Sequence, residues 1–257
     1  NKSIAGLYSP GSTFKPLVAL AALEYGTINP EKAILCKGHK HPYELYGVKY
    51  HCWKKQGHGY MRLRNAIKQS CDIYFYEMAR ILGVDKLSII AKRYGLGSKV
   101  LQEIYVDEKK GLVPNTAWKR KALETSWYLG ETVINGIGQG YIQTTPLQLC
   151  LMTAQIANGG YKIKPHIIYD ESISYQEIRK KISIDIILNQ NKSLIGGRNM
   201  LEEQEIRPYE RLYNNPENIK FVLEAMYAST NEMYGTSFKS RYEDPKYQFA
   251  GKTGTSQ

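Results

Sequence analysis

Leu17, Leu20 and Leu23 recur every third residue behind a Ser9-Pro10-Gly11 turn, with alanines between them and Gly26 closing the run. That spacing predicts a buried helix starting near Ser12, in which Pro16 is tolerated because it lies in the first turn. Residues 31–60 are polar, rich in His, Lys, Gly and Tyr, and without clear period. They read as an irregular excursion, and a loop of that length usually needs a function or a staple. Periodicity returns with helices over 62–68 and 74–82, with Ser70-Cys71-Asp72 at their junction, and over 84–94, closed by Gly95 and Gly97. Thr145-Pro146 and Asn215-Pro216 each read as an N-cap followed by an N1 proline. The first opens a helix to Asn158-Gly159-Gly160, the second a helix to about Met233. Residues 161–215 alternate weakly and then become polar, and no element is assigned there. Residues 247–252 read as a strand running into Thr253-Gly254-Thr255. There is no internal repeat and no low-complexity tract.

Composition narrows the class. Of 257 residues 42% are hydrophobic and 11% aromatic, which excludes a disordered chain and allows one large core or two modest ones. No apolar run approaches the roughly 18–20 residues needed to cross a bilayer. The formal charge of +11 would suit a polyanion, but it is scattered over groups such as Lys109-Lys110, Lys119-Arg120-Lys121 and Arg179-Lys180-Lys181. Those groups read as solvated faces. With no RNP-like aromatic motif and no Cys₂His₂ spacing, nucleic acid is not an expected partner.

Three short motifs carry the candidate chemistry: Ser12-x-x-Lys15, Ser70-x-Asp72 and Lys252-Thr253-Gly254. Alone each is weak, since a serine is an ordinary N-cap and Lys-Thr-Gly an ordinary strand end. Together they make sense as acyl-transfer machinery. A serine at a helix N-terminus has its Oγ near backbone N–H groups and the positive end of the dipole, which favour a developing oxyanion. Lys15 follows one turn on, within reach of that Oγ. An amine becomes a base only when its pKa falls, and a second cation, Lys252, or burial achieves that. Ser70 would then pass a proton to the leaving amine, with Asp72 orienting it. Lys252, Thr253, Gly254 and Thr255 offer a charge, hydroxyls and backbone donors to a substrate carboxylate, and Gly254 permits close approach.

The order of the motifs and their flanks, 9–16 and 250–257, resemble the signature of the penicillin-binding proteins and β-lactamases. Gly138-Gln139-Gly140-Tyr141, the 145–149 stretch and 157–160 are similar to the class B enzymes, although on their own they read as a turn and a capped helix. Trp53-Lys54-Lys55-x-Gly57-His58-Gly59, and Asp72 where many relatives carry Asn, resemble the elongation-specific branch rather than the division-specific one. Asp in place of Asn removes an amide donor, so roles assumed from Asn-bearing relatives do not transfer directly.

The resemblance implies an α/β (α+β) transpeptidase fold: an antiparallel sheet with flanking helices and an all-helical lobe carrying the second motif. It implies Ser12, Lys15, Ser70, Asp72 and Lys252 as catalytic residues. Thr253, Gly254 and Thr255 would bind substrate, and the backbone N–H groups of Ser12 and Thr255 would form the oxyanion hole. Peptidoglycan stem peptides and β-lactams are the implied ligands, with a membrane glycosyltransferase of the elongation machinery as partner. The implied location is the bacterial inner membrane, with the domain facing the periplasm. In that family the sheet takes strands from before the first motif and after the third. Residues 1–257 are therefore expected to be a partial transpeptidase domain truncated at both ends, without anchor, pedestal or C-terminal strands, and unable to fold or bind penicillin alone. Two rival readings remain: a D,D-carboxypeptidase or β-lactamase, and a β-lactam sensor that acylates without turnover. No separate E-x-x-x-N deacylation motif stands out for a class A lactamase.

Cysteines fall at 36, 52, 71 and 150. No C-x-x-C occurs, so zinc is not legible from spacing. The resemblance does imply one, because some elongation-type relatives hold zinc through a cysteine inside the second motif and the histidine of a Gly-His-Gly. Cys71 and His58 match those positions, and Cys52 and Cys36 would replace carboxylates, giving a structural site that staples the excursion. Small buried cysteines, or a Cys36–Cys52 disulfide, are the alternatives. Cys150 reads as core, and His39, His41 and His51 as exposed loop residues.

Overall fold

A computed structural model describes residues 1–101, 107–165 and 210–255. After a single turn, α1 (Lys2–Ala5), the chain enters a 3₁₀ helix, Gly11–Phe14, that runs straight into α2 (Lys15–Glu24). Ser12 thus lies in a tight lead-in turn rather than in the α-helix itself. From Phe14 to Ala22 every side chain is buried. α2 is therefore the centre of the core, and each fully enclosed leucine contributes about 1.5–3 kcal/mol.

Four helices surround it: α3 (Leu63–Lys68), α4 (Asp72–Leu82), α5 (Val84–Arg93) and, late in the chain, a helix at Pro216–Asn231. α4 starts where Cys71 turns extended, carries Asp72 in its first turn and Arg80 in its last, and stops at Gly83 with φ +81°. α6 (Thr116–Leu123) and α7 (Leu129–Asn135) were not anticipated from periodicity. They are set by local caps: Asn115 accepts from the Trp118 N–H at 2.7 Å, and the Glu131 side chain accepts from the Tyr128 N–H at 2.8 Å. α8 (Pro146–Ala157) has the expected N-cap, closed as a Thr145–Gln148 capping box. The late helix, α9 (Pro216–Asn231), begins at Asn215 as expected.

Three expectations are corrected. The excursion is not irregular throughout. β1 (Ile34–Cys36) pairs antiparallel with β4 (Gly59–Met61), and β2 (Tyr43–Leu45) pairs with β3 (Val48–Tyr50). Residues 247–252 form no ladder with any described strand; a 3₁₀ turn at Pro245–Tyr247 leads into a segment laid along α9. The Gly251 N–H donates to Met226 O at 3.2 Å, and Asn231 Nδ2 to Phe249 O at 2.9 Å. A strand needs a neighbour for its N–H and C=O groups, and here a helix end supplies those partners. Lastly, Cys150 is exposed. α8 buries Gln148, Leu151, Met152, Gln155 and Ile156, a helical stripe from which position 150 points away. Of 161–215, the stretch left unassigned, residues 166–209 lie outside the described part.

Candidate active site

The first turn of α2 brings Lys15 to the second motif. Its side chain is fully buried, and Nζ donates to Asp72 Oδ1 at 2.6 Å, to Ser70 O at 3.0 Å and to Ser70 Oγ at 3.2 Å. An ammonium has three protons, so these acceptors satisfy it, and Ser12 Oγ is not among its hydrogen-bond partners. In this structure the Asp72 carboxylate and the Ser70 oxygens engage those three protons.

Ser70 sits at φ +54°, a left-handed conformation uncommon for a non-glycine residue. Two donors hold its carbonyl there: Lys15 Nζ, and the indole Nε1 of Trp53 at 2.9 Å. The Trp53 backbone N–H also donates to Asp72 Oδ2 at 2.9 Å. Both oxygens of Asp72 and both lone pairs of Ser70 O are therefore engaged.

Lys252 arrives from the segment along α9. Its Nζ donates to Ser70 Oγ at 2.8 Å and to Thr253 O at 2.8 Å. Burial holds its pKa well below the usual lysine range, and the positive charge of Lys15 pushes the same way, against the opposing Asp72 carboxylate. Ser70 Oγ is thus flanked by two amines, one from each of the other motifs.

Ser12, Ser70, Asp72, Thr253, Gly254 and Thr255 line one cleft of about 660 Å³. Gly11 packs directly against the cleft residue Thr255. At φ +56° its N–H donates to Gly138 O at 2.8 Å, and a Cβ there would overlap Thr255 O. Gly254 packs on Thr13, where a Cβ would approach the threonine methyl to 2.5 Å.

Several further cleft residues lay outside the sequence-based set. Gln139, read as part of a structural turn, donates from Nε2 to Thr255 O at 3.2 Å. Thr236 and Trp53 also line the cleft, and so do His39 and His51, exposed as expected, with ring centroids 5.1 Å apart. Trp53 had entered only as a mark of resemblance, and nothing in the motif pattern pointed to Thr236.

Behind the cleft the four candidate ligands converge. The Sγ atoms of Cys36, Cys52 and Cys71 and a ring nitrogen of His58 all lie within 4.8 Å of one another. His58 Nδ1 is 3.5 Å from Cys36 Sγ and 3.4 Å from Cys52 Sγ. All four cysteines of the chain are free, so Cys36–Cys52 is not a disulfide here. A tetrahedral zinc with bonds of about 2.3 Å to sulfur and 2.0–2.1 Å to nitrogen places neighbouring S and N ligands roughly 3.5 Å apart, which this set fits. Hydrogen bonds from the Cys52 and Cys71 thiols lower the Cys36 pKa to about 2, while hydrogen bonding to Cys36 and Cys52, together with burial, pushes Cys71 up. Strand pairing supplies the convergence. β1 ends at Cys36 opposite Gly59, which sets His58 beside it, and Cys71 caps α4 between Ser70 and Asp72.

Residues 1–257 match the family described as the penicillin binding protein transpeptidase domain, and the chain belongs to that family. Among curated relatives, the peptidoglycan D,D-transpeptidase MrdA of Acinetobacter baumannii is 39% identical over 169 residues, 65% of this chain and 25% of that protein. MrdA of Salmonella typhimurium is 32% identical over 259 residues, covering 100% of this chain and 37% of that protein. Among solved structures, Pseudomonas aeruginosa PBP2 in complex with WCK 5153 matches with a TM-score of 0.78 and 37% identity, over 100% of this chain and 52% of that one. The Helicobacter pylori complex between PBP2 and MreC matches with a TM-score of 0.76 and 30% identity, over 100% and 41%. The fold is that of the penicillin-binding protein transpeptidases, and the similarity is to the elongation-specific, PBP2-like members. The chain spans only 25% and 37% of the length of the two MrdA proteins.

Proposed function

We propose that this domain carries the D,D-transpeptidase activity of peptidoglycan cross-linking in cell elongation. One observation carries the reading: Ser70 Oγ lies within hydrogen-bond reach of both Lys15 and Lys252, on the same cleft as Ser12 and the Lys252-Thr253-Gly254 segment. Ser12 Oγ attacks the penultimate D-Ala carbonyl of a stem peptide. Its proton passes into the Lys15–Ser70–Lys252 network, and the tetrahedral intermediate collapses as the C–N bond breaks. The network protonates the departing amine of the terminal D-Ala. An amine of a second stem then attacks the Ser12 ester, giving up a proton to the same network, and the serine is regenerated.

Lys252, Thr253 and Thr255 would hold the terminal carboxylate of the donor stem. β-Lactams would acylate Ser12 in the same manner. The Cys36, Cys52, His58 and Cys71 set would hold a structural zinc. All four positions would be filled by side chains, leaving none open for a reacting water, so a zinc there would supply cohesion rather than chemistry. The reading carries with it the inner membrane as location, the periplasm as the facing compartment and a membrane glycosyltransferase as partner.

Fluorescent penicillin tests it on the protein at its full native length. Labelling should be abolished by Ser12→Ala and slowed by Lys15→Ala by the ~10²–10⁴-fold that a lost general base costs. Labelling that survives Ser12→Ala removes the nucleophile from the proposal.

A further inference from the structure

The carboxylate end of the cleft is backed by three hydroxyls in a row. Thr253 Oγ1 donates to Thr236 Oγ1 at 2.9 Å, the inward polarity, and Thr236 Oγ1 lies 3.1 Å from Ser229 Oγ, a contact in which either oxygen can donate. Thr253 faces the cleft, Thr236 lines it, and Ser229 is fully buried on α9. Thr236 belongs to none of the three motifs, yet two elements fix it. Its N–H donates to Lys68 O on α3 at 3.2 Å, and the next N–H, of Ser237, donates to Ser229 O at 3.0 Å.

Each hydroxyl donates one proton and accepts through two lone pairs, and its hydrogen rotates to suit its neighbours. A chain of three hydroxyls therefore has two polarities. In one, Thr253 donates inward to Thr236 and presents lone pairs to the cleft, a repulsive face for a carboxylate. In the other, Ser229 donates to Thr236, Thr236 to Thr253, and Thr253 outward. Switching between them only rotates O–H bonds. No proton leaves its oxygen. An acceptor-only carboxylate beside Lys252 selects the outward polarity, and aligned hydroxyls polarise one another, strengthening the last bond.

We propose that Ser229, Thr236 and Thr253 form a reversible hydroxyl relay that directs a hydrogen bond to the substrate's terminal carboxylate, with Thr236 as the positioning residue at its middle. The proposal rests on reading the cleft as a stem-peptide transpeptidase site.

The test separates pre-acylation binding from the acylation rate, using a penicillin and its methyl ester on the protein at its full native length. Thr236→Val keeps the shape and breaks the relay. It should weaken binding of the free acid by about threefold to tenfold, the scale of one net hydrogen bond, and leave the ester nearly unaffected. Acylation from the bound state should stay within about twofold, since nothing in the relay touches Ser12 or Lys15. Thr236→Ser restores the middle hydroxyl and should restore binding. Should Thr236→Val not fold, Ser229→Ala interrupts the chain one step further in and should lower the same acid-to-ester ratio. Equal loss for acid and ester, or no rescue by serine, would mean a merely structural role and overturn the relay. A protein that takes up penicillin normally with valine at 236 also overturns it, alone. An unsubstituted protein that takes up none overturns the transpeptidase reading and the relay with it.

Discussion

At the scale of single residues, Asp72 is the decisive departure from the common asparagine. Oδ1 accepts from Lys15 and Oδ2 from the Trp53 N–H, so both neighbours are donors. An asparagine has one acceptor oxygen, and its NH₂ would have to face the other donor. Asp72→Asn should therefore leave one buried donor unpaired and cost about 1–3 kcal/mol of stability. Asp72→Ala should cost more, about 3–5 kcal/mol, because it strands the fully buried Lys15 charge. Denaturant unfolding of the two variants beside the unsubstituted protein reads both numbers, and an asparagine variant as stable as the parent would show that the second donor finds another partner. The sequence marked Asp72 as unusual but gave no hint of why it is tolerated. The answer is a backbone N–H, which every residue but proline has, supplied by Trp53 in the segment between β3 and β4.

At the scale of elements, the tie between α3 and α9 is electrostatic at its end. Arg64 donates to both Glu232 oxygens, at 2.5 and 3.2 Å, and Lys68 to one of them at 2.7 Å. Hydrogen bonding from Arg64, then from Lys68, lowers the Glu232 pKa from 4.5 to about 2. A carboxyl with a depressed folded-state pKa stabilises the fold fully above its unfolded value, and that contribution fades as pH falls from about 4.5 through about 2. Glu232 is partly exposed, so screening keeps the contribution near the ~0.2–1 kcal/mol of exposed pairs. Glu232→Gln should melt slightly below the parent near neutral pH, and the two melting temperatures should converge across that acid window. A gap that persists at the acid end would assign the effect to packing. The same joint shows what a sequence reader can and cannot see. The Thr145 and Asn215 caps were legible because a cap is a local bond with a fixed residue preference. The β2–β3 hairpin was not, for its two turn residues, Tyr46 and Gly47, both take positive φ without the Asn-Gly or Asp-Gly that usually signals such a turn. The segment at 247–252 has the composition of a strand, but composition does not say whether a neighbouring strand or the end of α9 will receive its N–H groups.

At the scale of the whole molecule, a zinc held by the cysteine–histidine cluster would tie the excursion to the start of α4. Cys36, Cys52 and His58 come from the excursion, and Cys71 comes from the start of α4, between two residues of the proposed machinery. Apart from such an ion the excursion is held by two pairs of three-residue strands, the Tyr43–Tyr50–Tyr76 aromatic contact, and hydrogen bonds from Trp53 to Ser70 O and Asp72, from Tyr76 to His51 O and from Tyr43 to Glu77. Two-stranded pairs of that length are marginal in water. Coordinated zinc contributes folding free energy directly, on the order of 10 kcal/mol in small zinc-binding peptides. One equivalent of zinc should therefore copurify, and a chelator should lower the melting temperature and raise amide exchange over residues 34–61 and the start of α4. Penicillin acylation should decline only as that loosening reaches Ser70, so exchange in the excursion should respond at lower chelator exposure than labelling does. The single substitutions should rank the same way. Cys36→Ser removes a ligand at the end of β1, remote in the chain from the second motif. Cys71→Ser would remove a ligand that lies between Ser70 and Asp72 in the chain, so it should damage both stability and labelling more. Elemental analysis finding no metal, together with a chelator that changes neither melting nor exchange, would return the three buried thiols to the role of small apolar core residues.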